Sequence, residues 1–500
     1  MLRGTEVVRL AHRLLFYKSN FMLAANLERF RDTMLRARAA GYNGVVLDDY
    51  KFQILDRLSA RYFQHVEEVR RIAAQLELEI FPLVARFGYS NGILAHDPNL
   101  AEGVPVLRAP FRMIAGSAAP ASAPIRDVRN ETVQVTPFRQ YHLSVNVKTE
   151  GFRAGKTLAA VTAGDGRRIG HFDRLPAPTQ DWTAHHFVFN SVANERLEVR
   201  PTGWAQGTGE ISYKDAALEE VGLINLLRRA GTPLTVSSSD GATIYHEGRD
   251  FAIENNRPDG LMPRPGEFDA WHEPPQILAL PGSRIRDGET ILVSYYHAMM
   301  VREGGVICCL SRPEPYEIVR DQIARLQEIF RPRGFFISID EVRVANWCES
   351  CRARKMSPGA MVADTTRRCI AMVREANPAA KIIAWSDMFD PFHNAHDHYY
   401  LADGDLAGSW LGLDRDVIVA TWNYTAREQS LKWFAERGHP QLVTGFYDRS
   451  AGEMEEWARA AAGVPGIAGA MYTTWREDYS QLETFADVLW RRARAPGFDN

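Results

Sequence analysis

A strand–helix alternation runs through this chain, breaks off after residue 105 and resumes near Pro313. Before the break, apolar runs at 7–10, 44–47 and 79–83 are separated by helical patterns at 26–41 and 58–76. After it, runs at 335–340, 381–385, 416–422, 441–447 and 469–475 alternate with helical patterns at 318–330, 361–376, 429–437 and 453–462, and a terminal helix follows. Unbroken aliphatic and aromatic runs predict strands buried on both faces, as in parallel sheets. Three strands before the break and five after it make eight, the number of a (β/α)8 TIM barrel. At 500 residues the chain is too long for one ordinary domain, and a barrel carrying a large insertion accounts for the excess.

The inserted part reads differently. Residues Ala115 to Pro124 are Gly, Ser, Ala and Pro with little else, the composition of a linker. Beyond it, Tyr141 to Val147, Thr183 to Asn190 and Leu197 to Val199 alternate polar and apolar residues with a period of two. That pattern predicts antiparallel strands with one buried face, hence a β-sandwich inserted after strand three. The expected divisions are 1–105 for strands 1–3, 106–220 for the sandwich, 221–300 for a β-rich extension and 301–500 for strands 4–8. Tyr141 to Thr149 and Trp204 to Asp215 resemble the jelly-roll carbohydrate-binding modules often attached to glycosidases; a purely structural insert is the alternative.

Charge and composition exclude several classes. A formal net charge of -3 argues against nucleic acid as a partner. No apolar run approaches a membrane span. The start, Met1-Leu2-Arg3-Gly4-Thr5-Glu6, lacks the apolar core of a signal peptide, and five cysteines are no disulfide framework. Cytoplasmic localisation is therefore the expectation, unless a signal was trimmed. There is no Gly-rich phosphate loop and no Ser nucleophile elbow, and no cofactor is expected.

In a barrel, catalytic groups sit at the C-terminal ends of the strands. Here those ends deliver Arg13, Asp48-Asp49, Arg86 and Tyr89, Asp340-Glu341, Trp385 and Asp387, Trp422, Tyr447-Asp448, and Trp475 with Glu477. Asp340-Glu341 alone also reads as a helix N-cap and first turn, and any one Trp as filler between barrel and helices. Together, aromatic walls with carboxylates suit a sugar ring, whose C–H face stacks on π-surfaces while its hydroxyls donate to acids.

This pattern resembles the β-N-acetylhexosaminidases of glycoside hydrolase family 20. In that family strand four ends in an adjacent Asp-Glu pair, matched here by Asp340-Glu341. The resemblance implies that Glu341 is the general acid and that Asp340 orients the substrate's acetamido group, which acts as the nucleophile in place of a second carboxylate. It also implies substrate-binding roles for Tyr447-Asp448 after strand seven, for Trp475 and Glu477 in the last Trp-x-Glu, and for Trp385 and Trp422 around the acetamido pocket. Arg13 stands for the family's strand-one arginine. The sequence departs from the family in having Ser338-Ile339 where Gly-Gly is usual, and Phe87-Gly88-Tyr89 where Gly-His is frequent. As general acid, Glu341 must hold a proton near neutral pH, and burial beside the like charge of Asp340 is expected to raise its pKa while Asp340 stays ionised.

Three further groups stand out. His393-Asn394-Ala395-His396-Asp397-His398, in the loop after strand five, is read as a metal, substrate or partner contact or as a polar turn; His393 is carried as a substrate-binding residue. Tyr296 and His297 end an inserted strand and are expected to close over the site. Cys348-Glu349-Ser350-Cys351 has ligand spacing and Cys308-Cys309 lies upstream, but this only hints at zinc; buried free thiols and no metal is the reading. The expected function is an exo-acting, retaining β-N-acetylhexosaminidase-like glycoside hydrolase on an oligosaccharide or glycoconjugate. The rivals are a glycosidase using two protein carboxylates, with Glu341 opposite Asp448, Asp49 or Glu477, and an inert carbohydrate-binding protein. Barrel glycosidases often dimerise, so a homodimer is one assembly open to the chain, although no partner surface is marked in the sequence.

Overall fold

In the computed structural model, eight parallel strands close into a barrel in chain order. They are β1 (His12–Lys18), β2 (Gly44–Asp48), β3 (Glu79–Val84), β4 (Gly334–Ile337), β5 (Lys381–Trp385), β6 (Ile418–Thr421), β7 (Gln441–Val443) and β8 (Ile467–Tyr472). The structure describes residues 10–155, 157–172, 174–204, 207–256, 266–302, 305–445 and 450–491. Tyr447 and Asp448 therefore lie outside the described residues.

Alternation along each strand divides two cores. Leu14, Phe16, Val46, Phe81, Phe336, Ile383 and Met471 fill the barrel interior. Leu15, Tyr17, Val45, Leu47, Phe335 and Ile337 point outward into a second core shared with the helices. Those helices include α1 (Ala24–Ala39), α2 (Ala60–Gln75), α3 (Glu314–Phe330), α4 (Pro358–Ala376), α5 (Arg427–Glu436) and α6 (Ala451–Ala461). Local chemistry sets their ends: the Ser357 side chain accepts from Ala360 N ahead of Pro358, and Arg331 takes a left-handed φ of 45° to stop α3.

The first strand differs from the expectation. Of the run at 7–10 only Leu10 is described, and the strand begins at His12. Polar His12 and Arg13 read as a loop, yet Leu14 to Tyr17 supply the apolar core that pairs with β2 and β8. Consequently Arg13 sits at the start of the strand, and Lys18 marks its C-terminal end.

The insertion leaves after β3 and returns before α3. Gln140–Ala154, Gln180–Asn190, Gly207–Val221 and Ile125–Arg126 form one four-stranded sheet; Glu131–Gln134, Val161–Ala163, Arg168–Gly170 and Arg196–Val199 form another. Val133, Leu143, Val147, Phe187 and Leu197 are buried in one core. The supposed linker is not wholly a loop: Ser117–Pro120 pairs antiparallel with Val104–Ile114. It is an inner strand of a seven-stranded sheet, paired on its other side with Gln276–Ala279, and the sheet's remaining strands are drawn from 235–297. Pairing thus joins 104–120, at the start of the insertion, to strands from 235–297 near its end.

No helix among the described residues is long and apolar enough to cross a membrane.

Candidate functional site

The C-terminal mouth of the barrel opens into a cavity of about 590 Å3. Asp340 and Glu341, just beyond β4, form one wall, and Trp385, Trp422 and Trp475 line it with Arg86 and Tyr89. Trp385 is buried on Phe336 and Phe16, with ring centroids 4.7 and 5.7 Å away. Trp475 stands 6.0 Å from Trp385 at 49°, and keeps 44% of its surface exposed. The three indoles come from β5, β6 and β8, which places them around one mouth because parallel strands end on the same side.

The loop after β3 is pressed against the acids. A Cβ built at Gly88 would lie 1.4 Å from the Asp340 carbonyl oxygen, so only glycine permits that approach. It brings the Tyr89 hydroxyl to donate to Glu341 Oε2. Arg343 Nη2 lies 2.6 Å from the same oxygen and 3.1 Å from the Tyr89 hydroxyl. The Glu341 side chain is still 22% exposed, enough for a ligand to reach it. Its backbone has a φ of 52°, a left-handed conformation that Glu seldom adopts.

Asp387 organises this geometry from beneath. Its Oδ2 accepts from Glu341 N and from Asn394 Nδ2, both at 2.8 Å, and its Oδ1 accepts from Trp422 Nε1 at 3.4 Å. His393 packs edge-on to Trp422, centroids 4.3 Å apart, and burial lowers its pKa to about 4. The neutral imidazole is thus a wall of the site at ordinary pH.

The two shifts run opposite to those expected. Burial pushes Glu341 up, but Arg343 with the Tyr89 hydroxyl outweighs it, and the carboxyl is held below its ordinary value. Burial, then the charge of Glu341, raises Asp340 despite the 2.5 Å hydrogen bond from Ser338 Oγ. Asp387, fully buried, is pushed well above the ordinary range by burial and by the charges of Asp340 and Glu341. Sequence showed only the like-charged neighbour; the guanidinium that lowers Glu341 is two residues further on.

Other residues fall elsewhere. Arg13 belongs to the opposite end of the barrel, where Nε donates to the Gly41 carbonyl and Nη1 to that of Leu10. Tyr296 and His297 do not reach the mouth. His297 is buried between Gln140 and Asn190, its two ring nitrogens each 3.0 Å from their amides, and Tyr296 packs at the junction of insertion and barrel. The register of their strand with Val104–Ile114 holds both inside the seven-stranded sheet. Asp49 turns into the scaffold, where Phe21 N, Tyr62 Oη and Lys51 N donate to it. Asp48, on the opposite side of the strand, faces the cavity and pairs with Arg86. Glu477 lines an adjoining depression of about 510 Å3 with Lys18 and Asp48.

Sequence reasoning passed over Lys18, Arg302 and Arg343. The Glu-x-Arg spacing at a strand end was the available signal for Arg343; Arg302 arrives from the insertion's return path and carried none. Arg302 lines the cavity, and Arg167 and Arg168 border a neighbouring depression that also reaches Glu341, so the insertion forms part of the rim.

No protein-family model matches this chain, and no curated protein does. Among solved structures it is similar to a chitobiase from Flavobacterium johnsoniae, with a TM-score of 0.44 and 10% identity over 96% of this chain and 48% of that one. It is also similar to the family 20 β-N-acetylhexosaminidase of Streptomyces coelicolor A3(2), with a TM-score of 0.40 and 11% identity over 96% and 65%. A β-N-acetylhexosaminidase from Bacteroides fragilis gives 0.44 and 10% over 98% and 68%. The chain thus spans 48% and 65% of the first two.

Proposed function

We propose that this chain is a glycoside hydrolase that seats the terminal sugar of a glycan among Trp385, Trp422 and Trp475, with Asp340 and Glu341 against the glycosidic bond. One observation carries the reading: an adjacent pair of acids and three indole surfaces share a single cavity at the C-terminal mouth of the barrel. Its volume of about 590 Å3 is within the range of small-molecule sites. Indole faces stack on the apolar face of a pyranose, and the guanidinium and carboxylate groups around them meet its hydroxyls.

The favoured chemistry is retaining cleavage of a β-linked N-acetylhexosaminide with help from the substrate. Asp340 accepts from the acetamido N–H and aligns the acetamido oxygen on C1. As that oxygen bonds to C1, the bond to the leaving oxygen breaks and Glu341 gives it a proton; the oxazolinium ring is then opened by water, which returns a proton to Glu341. Since Arg343 holds Glu341 ionised, the competent form gains its proton as pH falls, and an acidic optimum follows.

A second reading draws on the same pair of shifts. With Asp340 raised and Glu341 ionised, two protein carboxylates serve, Asp340 giving the proton and Glu341 acting as base or nucleophile. Aryl glycosides with and without a 2-acetamido group, tested on the wild type, Glu341→Gln and Asp340→Asn, separate the two. Turnover confined to 2-acetamido sugars and abolished by both substitutions supports substrate assistance. Equal turnover of 2-hydroxy sugars supports the two-carboxylate scheme. Tight binding of sugars with no turnover of any defeats the hydrolase reading and leaves an inert binder.

A further inference from the structure

Away from the sugar cavity, four side chains distant in sequence converge in a buried cluster: Glu102, Cys309, Cys348 and Cys351. Glu102 leaves the barrel with the insertion, Cys309 returns from it, and the two remaining cysteines lie beyond β4 on the loop that carries Glu341 and Arg343. Their ligand atoms all lie within 4.8 Å of one another. Cys309 Sγ is 3.5 Å from both Cys348 Sγ and Cys351 Sγ, and Glu102 Oε2 is 3.6 and 3.2 Å from the latter two sulfurs. Disulfides are excluded at these spacings, because bonded sulfurs lie about 2.05 Å apart. These four distances match the edges of a tetrahedron: ligands about 2.3 Å (sulfur) and 2.0–2.2 Å (oxygen) from a zinc ion stand about 3.8 Å apart for two sulfurs and about 3.5 Å for sulfur and oxygen.

The surroundings suit a cation. Glu102 Oε1 accepts from the backbone N–H of Trp347 and of Cys348, both at 2.8 Å, which orients the carboxylate and leaves Oε2 turned to the sulfurs. The Ser311 hydroxyl donates to Cys351 Sγ at 3.1 Å. Arg229, anchored on the Asn99 and Ala101 carbonyls, lies against Cys348 and offsets part of the negative charge that three thiolates and a carboxylate carry beyond a divalent ion. Without a cation, the Glu102 carboxylate is buried beside three thiols with almost no solvent, a placement that a bound cation would compensate.

We infer that Glu102, Cys309, Cys348 and Cys351 form a structural zinc site that clamps both ends of the insertion to the loop bearing Glu341. Thiolates with one carboxylate select Zn2+ over the harder divalent ions, and four protein ligands leave no position open for chemistry. Cys309 N donates to the Leu100 carbonyl and Glu102 N to that of Ile307, so the outgoing and returning chains already lie side by side. The metal ties that pair to the turn at 348–351. Binding requires loss of the thiol protons to solvent and no redox change.

The test uses the full chain with its thiols reduced. After exposure to excess zinc and removal of the free ion, the wild type retains about one zinc per chain; Cys351→Ser and Cys309→Ser lose it, while Cys369→Ser, at a buried cysteine outside the cluster, keeps it. Cobalt in place of zinc gives intense visible bands of tetrahedral coordination and a near-ultraviolet thiolate charge-transfer band. Competition of the wild-type zinc complex with a chromophoric chelator reads affinity without any variant, and Glu102→Gln lowers that affinity on the order of tenfold or more. Wild-type chain that retains less than about a tenth of an equivalent of zinc, or that shows octahedral cobalt without the charge-transfer band, overturns the inference. So does zinc retained undiminished in both cysteine variants.

Discussion

Arg343 Nη2 stands 2.6 Å from Glu341 Oε2, and the guanidinium reaches past it to the Tyr89 hydroxyl at 3.1 Å. A carboxylate beside an always-charged partner keeps its proton only at low pH. This pairing, rather than the neighbouring Asp340, sets how the site titrates. The sign for stability follows: a depressed carboxyl stabilises the fold above its unfolded pKa, and the contribution is lost as pH falls through the depressed value.

Replacing Arg343 by Gln removes the lowering charge, and the Glu341 pKa rises. If Glu341 is the proton donor, the protonated form persists to higher pH, so the basic limb of the kcat/KM profile moves up by about 1 to 3 pH units. Measured profiles of wild type and variant decide this. Movement of the acidic limb instead gives Glu341 the role of base, and a profile with both limbs in place shows that the pair does not govern turnover.

Asp387 accepts three hydrogen bonds, from Glu341 N, Asn394 Nδ2 and Trp422 Nε1. Asp387→Ala takes the acceptor at 2.8 Å away from Glu341 N and Asn394 Nδ2, at about 1–3 kcal/mol for each group left unsatisfied. Denaturant unfolding is expected to show that loss. Because Glu341 and Trp422 are then no longer held, kcat is expected to fall on the order of a hundredfold. Unchanged stability with unchanged kcat would remove Asp387 from the supporting frame.

At Gly88 the constraint is steric. An added methyl meets the Asp340 carbonyl at 1.4 Å, whereas at Gly164 it meets nothing within 4 Å. Gly88→Ala is therefore expected to cost about 3 kcal/mol or more and to abolish activity with it, while Gly164→Ala stays within about 0.5 kcal/mol of wild type. Thermal unfolding of the two variants is the comparison. Equal midpoints would mean that the loop after β3 does not press on the acids.

The barrel was legible because each parallel strand is a continuous apolar run, and a run needs no partner to be recognised. Its strand ends were legible for the same reason: Asp340, Trp385 and Trp422 follow directly from where the runs stop. What stayed hidden depends on contacts far apart in the chain. Tyr89 meets Glu341 across 252 residues, and Glu102 meets Cys351 across 249. Periodicity also misplaced β1, because His12 and Arg13 are polar residues inside a strand, which put Arg13 at the wrong end. The tryptophans were legible in position but not in burial, and burial decides what each ring does.

Trp385 and Trp475 line the same cavity yet differ in exposure, 2% against 44%. Trp385 is packed on Phe16 and Phe336, so its removal opens a void in the barrel core. Trp385→Ala is expected to cost about 3–5 kcal/mol of stability, and any loss of activity there confounds folding with binding. Trp475 packs against Phe16 at 5.1 Å and Trp385 at 6.0 Å, yet keeps 44% of its surface exposed at the cavity. Its truncation removes stacking surface that water otherwise covers, so Trp475→Ala should leave unfolding within about 1 kcal/mol of wild type. KM for an aryl glycoside should rise about tenfold, corresponding to roughly 1.4 kcal/mol of binding, with kcat changed less. A Trp475→Phe variant, which keeps an aromatic face, should recover most of that loss. If Trp475→Ala instead destabilises the fold as much as Trp385→Ala and leaves KM alone, its indole is core filler, and the sugar must stack on Trp422 or not at all.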